Sequence, residues 1–251
     1  MPSRVTIIGL DGVPDVRPGD DLAATILAAV ERSGEAVRDG DVLVVTHKIV
    51  SKAEGRVVDL RDVEPSDFAR RHAERFGRDP RHIEAVLREA ARIVRMDRGL
   101  IIAETRHGFV CANAGVDASN VAGDESVCLL PLDPDASAAR LREVLRERTG
   151  VDLPVIISDS FGRAWRSGII NVAVGVAGLA PLADYRGQVD PYGRELHASI
   201  LAVADELACA AELAGGKVDQ RPVVLIRGYP YTPAEGYGRD LVMSPERDLF
   251  R

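Results

Sequence analysis

Val155-Ile-Ile-Ser-Asp-Ser-Phe-Gly-Arg-Ala-Trp-Arg166 begins as an apolar run and turns to an acid, Asp159, where that run stops. A short stretch of β-branched residues closed by polar ones reads as a strand buried on both faces. Similar runs occur at Asp41-Val-Leu-Val-Val-Thr46, Ile169-Ile-Asn-Val-Ala-Val-Gly-Val-Ala177 and Val223-Val-Leu-Ile-Arg227. Alanine-rich segments with a helical period flank them, as at Leu22, Ile26, Leu27 and Val30 before the first. Buried strands interspersed with amphipathic helices give an α/β or α+β fold. No linker or low-complexity tract divides the chain, so its two expected lobes are interleaved.

Working outward, Val5–Gly9 reads as a strand and Gly12–Gly19 as a loop rich in glycine and proline. Asp20 is expected to cap the helix of 22–33, and His47–Lys52 to form a basic turn after a strand. Helices are expected over 66–76, over 80–96 with Asp79 as cap, and from a cap at Asp135 or Ser137 to about Arg148. Strands are expected at 100–105, 109–112 and 127–130, and a long helix over 195–213. Gly193-Arg-Glu-Leu196 would then open that helix, where an anion could bind.

Composition narrows the function classes. The 251 residues are long enough for a substantial core, and the 46% apolar content is mostly aliphatic, with 4% aromatic residues. A formal charge of −7 argues against general nucleic-acid binding, while Arg163, Arg166, Arg186 and Arg194 leave room for a local anion site. Cys111, Cys128 and Cys209 are odd in number and contain no C-x-x-C pair, so neither a disulfide framework nor a zinc site is indicated. No apolar stretch has the length of a membrane span and no apolar leader opens the chain, so the expected location is cytoplasmic.

Two acids stand out. Asn113-Ala-Gly-Val-Asp-Ala-Ser-Asn120 sets Asp117 among small and amide residues after an apolar segment, and Asp159 ends a strand with Ser160 beside it. Paired carboxylates near arginines suit Mg²⁺ or Mn²⁺ together with a phosphate. Taken singly, each acid also fits a turn or helix cap. Lys48 and Lys52 reach forward from the end of a strand, where α/β sheets usually bind ligands. Gly12-Val-Pro-Asp-Val16 follows a strand but has neither dinucleotide nor Walker glycine spacing, which argues against a Rossmann or P-loop fold. The histidines show no metal-ligand spacing, and Trp165 is either a core anchor or a stacking platform.

Read as a set, five stretches resemble the coenzyme F420:L-glutamate ligase family. They are Gly40–Arg56, Asn113–Asn120, Leu130–Asp135, Ile157–Gly168 and Tyr192–Leu196, spread from about residue 5 to Gly228. The resemblance implies an unusual α/β fold, a homodimer, and a GTP-dependent ligase that uses Mg²⁺ or Mn²⁺, two ions, with K⁺. Its implied reaction adds L-glutamate to F420-0 through an acyl phosphate, and then a second glutamate through a γ-linkage. Asp117 and Asp159 match divalent-metal ligands, Ser160 a ligand of the second metal, and Asp117, Asp159 and Lys52 the catalytic set. Val13, Pro14, Asp15, Val16, His47, Lys48, Lys52 and Asn120 match nucleotide-contacting positions. Arg163, Arg166 and Arg194 are assigned to the anionic groups of the substrates. Leu213–Pro222 departs from the family pattern, offering Gly216-Lys217 and an offset Gln220 where relatives carry a further metal ligand. The alternatives are a nucleotide- or flavin-binding module without ligase activity, and a metal-dependent phosphotransferase with another acceptor.

Overall fold

The computed structural model describes residues 4–119, 123 and 125–248. The first half of the chain runs β1 (Thr6–Gly9), α1 (Leu22–Arg32), β2 (Asp41–Thr46), α2 (His47–Ala53), β3 (Val57–Asp59), α3 (Asp67–Phe76), α4 (Pro80–Glu89), β4 (Ala90–Asp97), β5 (Leu100–Thr105) and β6 (Val110–Ala112). It continues through β7 (Ser126–Cys128), α5 (Pro134–Thr149), β8 (Val155–Arg163), β9 (Arg166–Ala177), β10 (Ala183–Asp184), β11 (Ile200–Leu201), α6 (Val203–Gly215) and β12 (Val223–Arg227). This is the mixed α/β class that the apolar runs imply.

Five strands form the main sheet in the order β1-β12-β2-β8-β9. The β2–β8 pair is parallel, and the β1–β12, β12–β2 and β8–β9 pairs are antiparallel. Consequently β1, β2 and β8 all point the same way, and β8 continues past the ends of β1 and β2 to Arg163, paired with β9. Side chains alternate across it as the pleat requires. Leu43, Val45, Val155, Ile157, Val223 and Leu225 pack under α1, α2 and α5, whereas Val42, Val44, Ile156, Val224 and Ile226 pack under α6. Burial on both faces is why these strands read as unbroken apolar runs.

A separate cluster is built from α3, α4, the β4-β5-β6 sheet and the small β3-β7 sheet. Its core includes Ile83, Val86, Ile101, Val116 and Val127. The chain enters this cluster after α2 and leaves it at α5, so the cluster is an insertion between two strands of the main sheet. Among the described residues, no helix is long and apolar enough to cross a membrane.

Several local expectations are corrected. The cap of α1 is Asp21, which accepts from Ala24 N; Asp20 instead accepts from Arg17 N in the preceding turn. His47–Lys52 is helical, forming most of α2. The expected helix over 80–96 stops at Glu89, and 90–97 pairs with β5 as a strand. Asp133, not Asp135 or Ser137, caps α5 and accepts from Ala136 N, with Pro134 in the first turn. The long helix begins at Val203 rather than Glu195, so Gly193–Leu196 does not open it. Trp165 is 82% exposed in the tight turn between β8 and β9, which rules out a core role.

Asp135 has a different task. Its Oδ1 accepts from Val176 N and Gly238 N, tying the first turn of α5 to β9 and to the C-terminal segment. That approach is close enough that a Cβ on Gly175 would lie 2.4 Å from Pro134 O. Gly175→Ala should therefore destabilise the fold by about 1–3 kcal/mol, as overpacking does. Urea unfolding checks this, and an unchanged midpoint would show that α5 can move away from β9.

Candidate functional site

The parallel pairing of β2 with β8 sets the site. Thr46 stands opposite Ser158 at the last register position of the parallel pair, so His47, the first residue of α2, and Asp159, the next residue of β8, emerge together beyond it. Ligands of open α/β sheets bind at such carboxyl ends. A cavity of about 530 Å³ opens here, within the usual range for small-molecule sites. Its wall includes Val13–Val16 after β1, His47, Lys48 and Lys52 of α2, Asp117, and Ser158–Ser160 of β8. It also includes Asn171, Glu212 and the segment before β12 from Gly216 to Pro222, apart from Asp219.

Asp117 comes from the inserted cluster. It is held by a bridge to Cys128, beyond a 3-10 turn in which Asn113 and Ala114 both adopt positive φ, 53° and 50°. Gly115 follows with its Cα against Leu130, where a Cβ would meet the side chain at 2.8 Å. Two consecutive left-handed non-glycine residues are costly and persist only where packing dictates them. Here they direct Asp117 into the cavity.

Lysines pair with two of the acids, Asp117 and Asp15. Lys48 and Lys52 are one helical turn apart, share a face of α2, and are both largely buried. Lys48 Nζ donates to Asp117 Oδ2 at 2.5 Å and to Ser119 O and Oγ, and Lys52 Nζ donates to Asp15 Oδ1 at 2.7 Å. Burial alone would push the Asp117 carboxyl up. The Lys48 ammonium and the Ser119 N–H and hydroxyl outweigh it and hold Asp117 below the ordinary 3.8.

On the β8 side, Ser160 faces Asn171 across the antiparallel register. Ser160 Oγ donates to Asn171 Oδ1 at 2.8 Å, and Asn171 Nδ2 donates to Glu212 Oε2 at 2.9 Å. Lys217 Nζ stands 3.2 Å from Ser160 Oγ. His47 is buried, its Nδ1 3.3 Å from Ser51 Oγ and its Nε2 3.3 Å from Asp159 Oδ1. The latter contact is too poorly aligned to be a hydrogen bond, and Nε2 has no hydrogen-bond partner.

The described residues thus bring together Val13, Pro14, Asp15, Val16, His47, Lys48, Lys52, Asp117, Asp159 and Ser160 on one cavity. Asn120 lies outside the described residues. Arg163, Arg166 and Arg194 do not line this cavity: the first two flank the β8–β9 turn and Arg194 lies in the loop between β10 and β11. Arg221 is the arginine in the wall, ion-paired with Asp11. Sequence reasoning missed Asn171, Glu212 and Arg221, which carry no local motif and arrive through strand register and helix packing.

No three His, Cys, Asp or Glu side chains among the described residues gather closely enough to cage a metal ion. The donors present are dispersed carboxylates, the Ser160 hydroxyl and the unpartnered nitrogen of His47. The oxygen donors fit a hard cation that completes its shell with phosphate oxygens and water.

Lysines and carboxylates thus share one cavity beyond the last parallel pair of β2 and β8, where open α/β sheets place small-molecule ligands. The chain belongs to the F420-0:gamma-glutamyl ligase family, whose model matches residues 12–228. It is 48% identical over 250 residues to the coenzyme F420:L-glutamate ligase of Methanothermobacter thermautotrophicus, covering 98% of this chain and 99% of that one. The protein of the same name from Methanopyrus kandleri is 50% identical over 94% of this chain and 93% of its own. That from Methanocaldococcus jannaschii is 41% identical, over 99% and 97%.

Because its folded value is depressed, Asp117 contributes stability above the ordinary carboxylate value that disappears as pH falls through the folded one. Lys48→Met should move the Asp117 titration upward, read by carboxyl-carbon NMR. No movement would mean that Ser119 alone holds the charge.

Proposed function

We propose that this chain is a coenzyme F420:L-glutamate ligase that joins the carboxylate of F420-0 to the amine of L-glutamate, driven by GTP. The observation that carries this reading is one cavity shared by Asp117, Asp159, Lys48 and Lys52, in a chain whose relatives bear that name. Condensing a carboxylate with an amine is uphill in water, so the acid must first be activated. The F420-0 carboxylate oxygen attacks the γ-phosphorus of GTP, GDP leaves, and an acyl phosphate remains. Glutamate's nitrogen then attacks the acyl carbon and inorganic phosphate departs with the C–O electron pair, its release accompanied by loss of the amine proton. A second glutamate joins through the γ-carboxylate of the first.

No nucleophilic side chain is needed, and the protein's work is positioning and charge. Lys48 and Lys52 hold phosphate oxygens, and Val13–Val16 borders the nucleotide, with His47 and Asn120 adjoining it. Asp117, Asp159 and Ser160 would hold Mg²⁺ or Mn²⁺, which would supply neutralisation of phosphate charge. K⁺ is a further requirement of this reading. Arg163, Arg166 and Arg194 lie outside the cavity wall, and this reading gives them the outlying phosphodiester of the substrate and the incoming carboxylate, because guanidinium suits both. Ile169, Val189 and Tyr192 are exposed near these arginines in sequence, apolar surface of the kind a second protomer covers in a homodimer.

Incubation with F420-0, L-glutamate, GTP and Mn²⁺ should release GDP and add glutamate mass to F420-0. Asp159→Asn should reduce this turnover by about a hundredfold or more. Nucleotide retained without GDP release would make the chain a binding module, and GDP without glutamate addition would make it a phosphotransferase with another acceptor. Either result would sink the ligase reading.

A further inference from the structure

We infer that His47 is a nitrogen ligand of the cation held at Asp159, so that this site selects Mn²⁺ over Mg²⁺. The inference rests on the proposed cation role of Asp159. It begins with the ring's position: His47 follows the last paired residue of β2 and Asp159 the last paired residue of parallel β8. Backbone register alone therefore holds imidazole and carboxylate side by side, before either meets a ligand.

The two ring nitrogens have different surroundings. Nδ1 faces the hydroxyl of Ser51, one turn along α2 and itself fully buried. With the Nδ1 proton donated to that hydroxyl, the lone pair lies on Nε2. His47 is only 2% exposed, yet Nε2 has no hydrogen-bond partner and borders the cavity 3.3 Å from Asp159 Oδ1. A buried polar atom left unpaired is costly, and two electron-rich atoms at this separation repel unless a positive centre lies between them.

A proton on Nε2 would supply that centre, but the contact is not aligned as a hydrogen bond. A divalent cation supplies it without that requirement. Two ligands each about 2.1 Å from one cation and at right angles stand about 3 Å apart. Histidine ligands characteristically donate their other ring N–H to a fixed oxygen, the position Ser51 Oγ holds 3.3 Å from Nδ1. Imidazole favours Mn²⁺ over the harder Mg²⁺, whose sites are built from oxygen. None of the other four histidines lines this cavity, so a histidine signal from a bound ion has one source.

Pulsed electron paramagnetic resonance tests this on the full chain loaded with Mn²⁺ and a non-hydrolysable GTP analogue. Protein carrying ¹⁵N-histidine should give a ¹⁵N coupling that unlabelled protein lacks, which also separates imidazole from guanine nitrogen. His47→Gln should abolish the coupling and severalfold reduce the ratio of Mg²⁺ to Mn²⁺ dissociation constants, with circular dichroism confirming its fold. Should Asp159→Asn remove the bound Mn²⁺ while wild-type protein shows no ¹⁵N coupling, the His47 inference fails and the cation reading of Asp159 stands. Mn²⁺ binding that is indifferent to Asp159→Asn would overturn both.

Discussion

The parallel ladder between β2 and β8 is the constraint on which the site depends. Its four paired positions, Leu43 with Val155 to Thr46 with Ser158, lie in the interior of the five-stranded sheet. Both strands are covered on both faces, so a one-residue slip would exchange every side chain between the α6 face and the face under α1, α2 and α5. The register is fixed by packing, and with it the adjacency of His47 and Asp159. The site's geometry is in this sense a by-product of core formation.

The inserted cluster supplies what the sheet edge lacks. Its core is distinct from the two cores of the main sheet, yet it delivers Asp117 to the same cavity through a left-handed turn and the bridge to Cys128. Arg56 helps fasten the connection, donating to Leu130 O and pairing with Glu89. Glu54, two residues earlier, accepts from Ser137 and Arg140 and joins the end of α2 to α5. The charged stretch that follows the two lysines is thus chiefly mechanical, and it anchors the helix that aims them.

The strands were legible because burial on both faces leaves an unmistakable apolar run, and the two acids because each follows such a run. Asp159 nonetheless lies within β8, which pairs with β9 as far as Arg163, and Asp117 lies beyond a 3-10 turn after β6. Other elements were set by partners distant in sequence. Residues 90–97 carry on an apparently helical pattern, but pairing with β5, interrupted by two register shifts, makes them a strand. Residues 195–202 hold polar and aliphatic residues compatible with a helix, yet Ile200 and Leu201 pair with β10, and α6 starts only afterwards. Asn171 illustrates the limit for the site. It lies within an apolar run, and only the antiparallel register opposite Ser160 gives it a polar role.

Charge balance links these observations. Asp117 and Asp15 each pair with an ammonium that is itself largely withdrawn from water. Removing one partner from such a pair leaves an uncompensated charge, which costs more than the pair contributes. A phosphate arriving alone at Lys48 would strand Asp117, and a cation arriving alone at Asp117 would strand Lys48. A phosphate chain arriving with its cation exchanges one set of opposite charges for another and strands neither. The same arithmetic accounts for the paired charges of the cavity: each lysine on α2 lies opposite an acid brought from elsewhere in the fold.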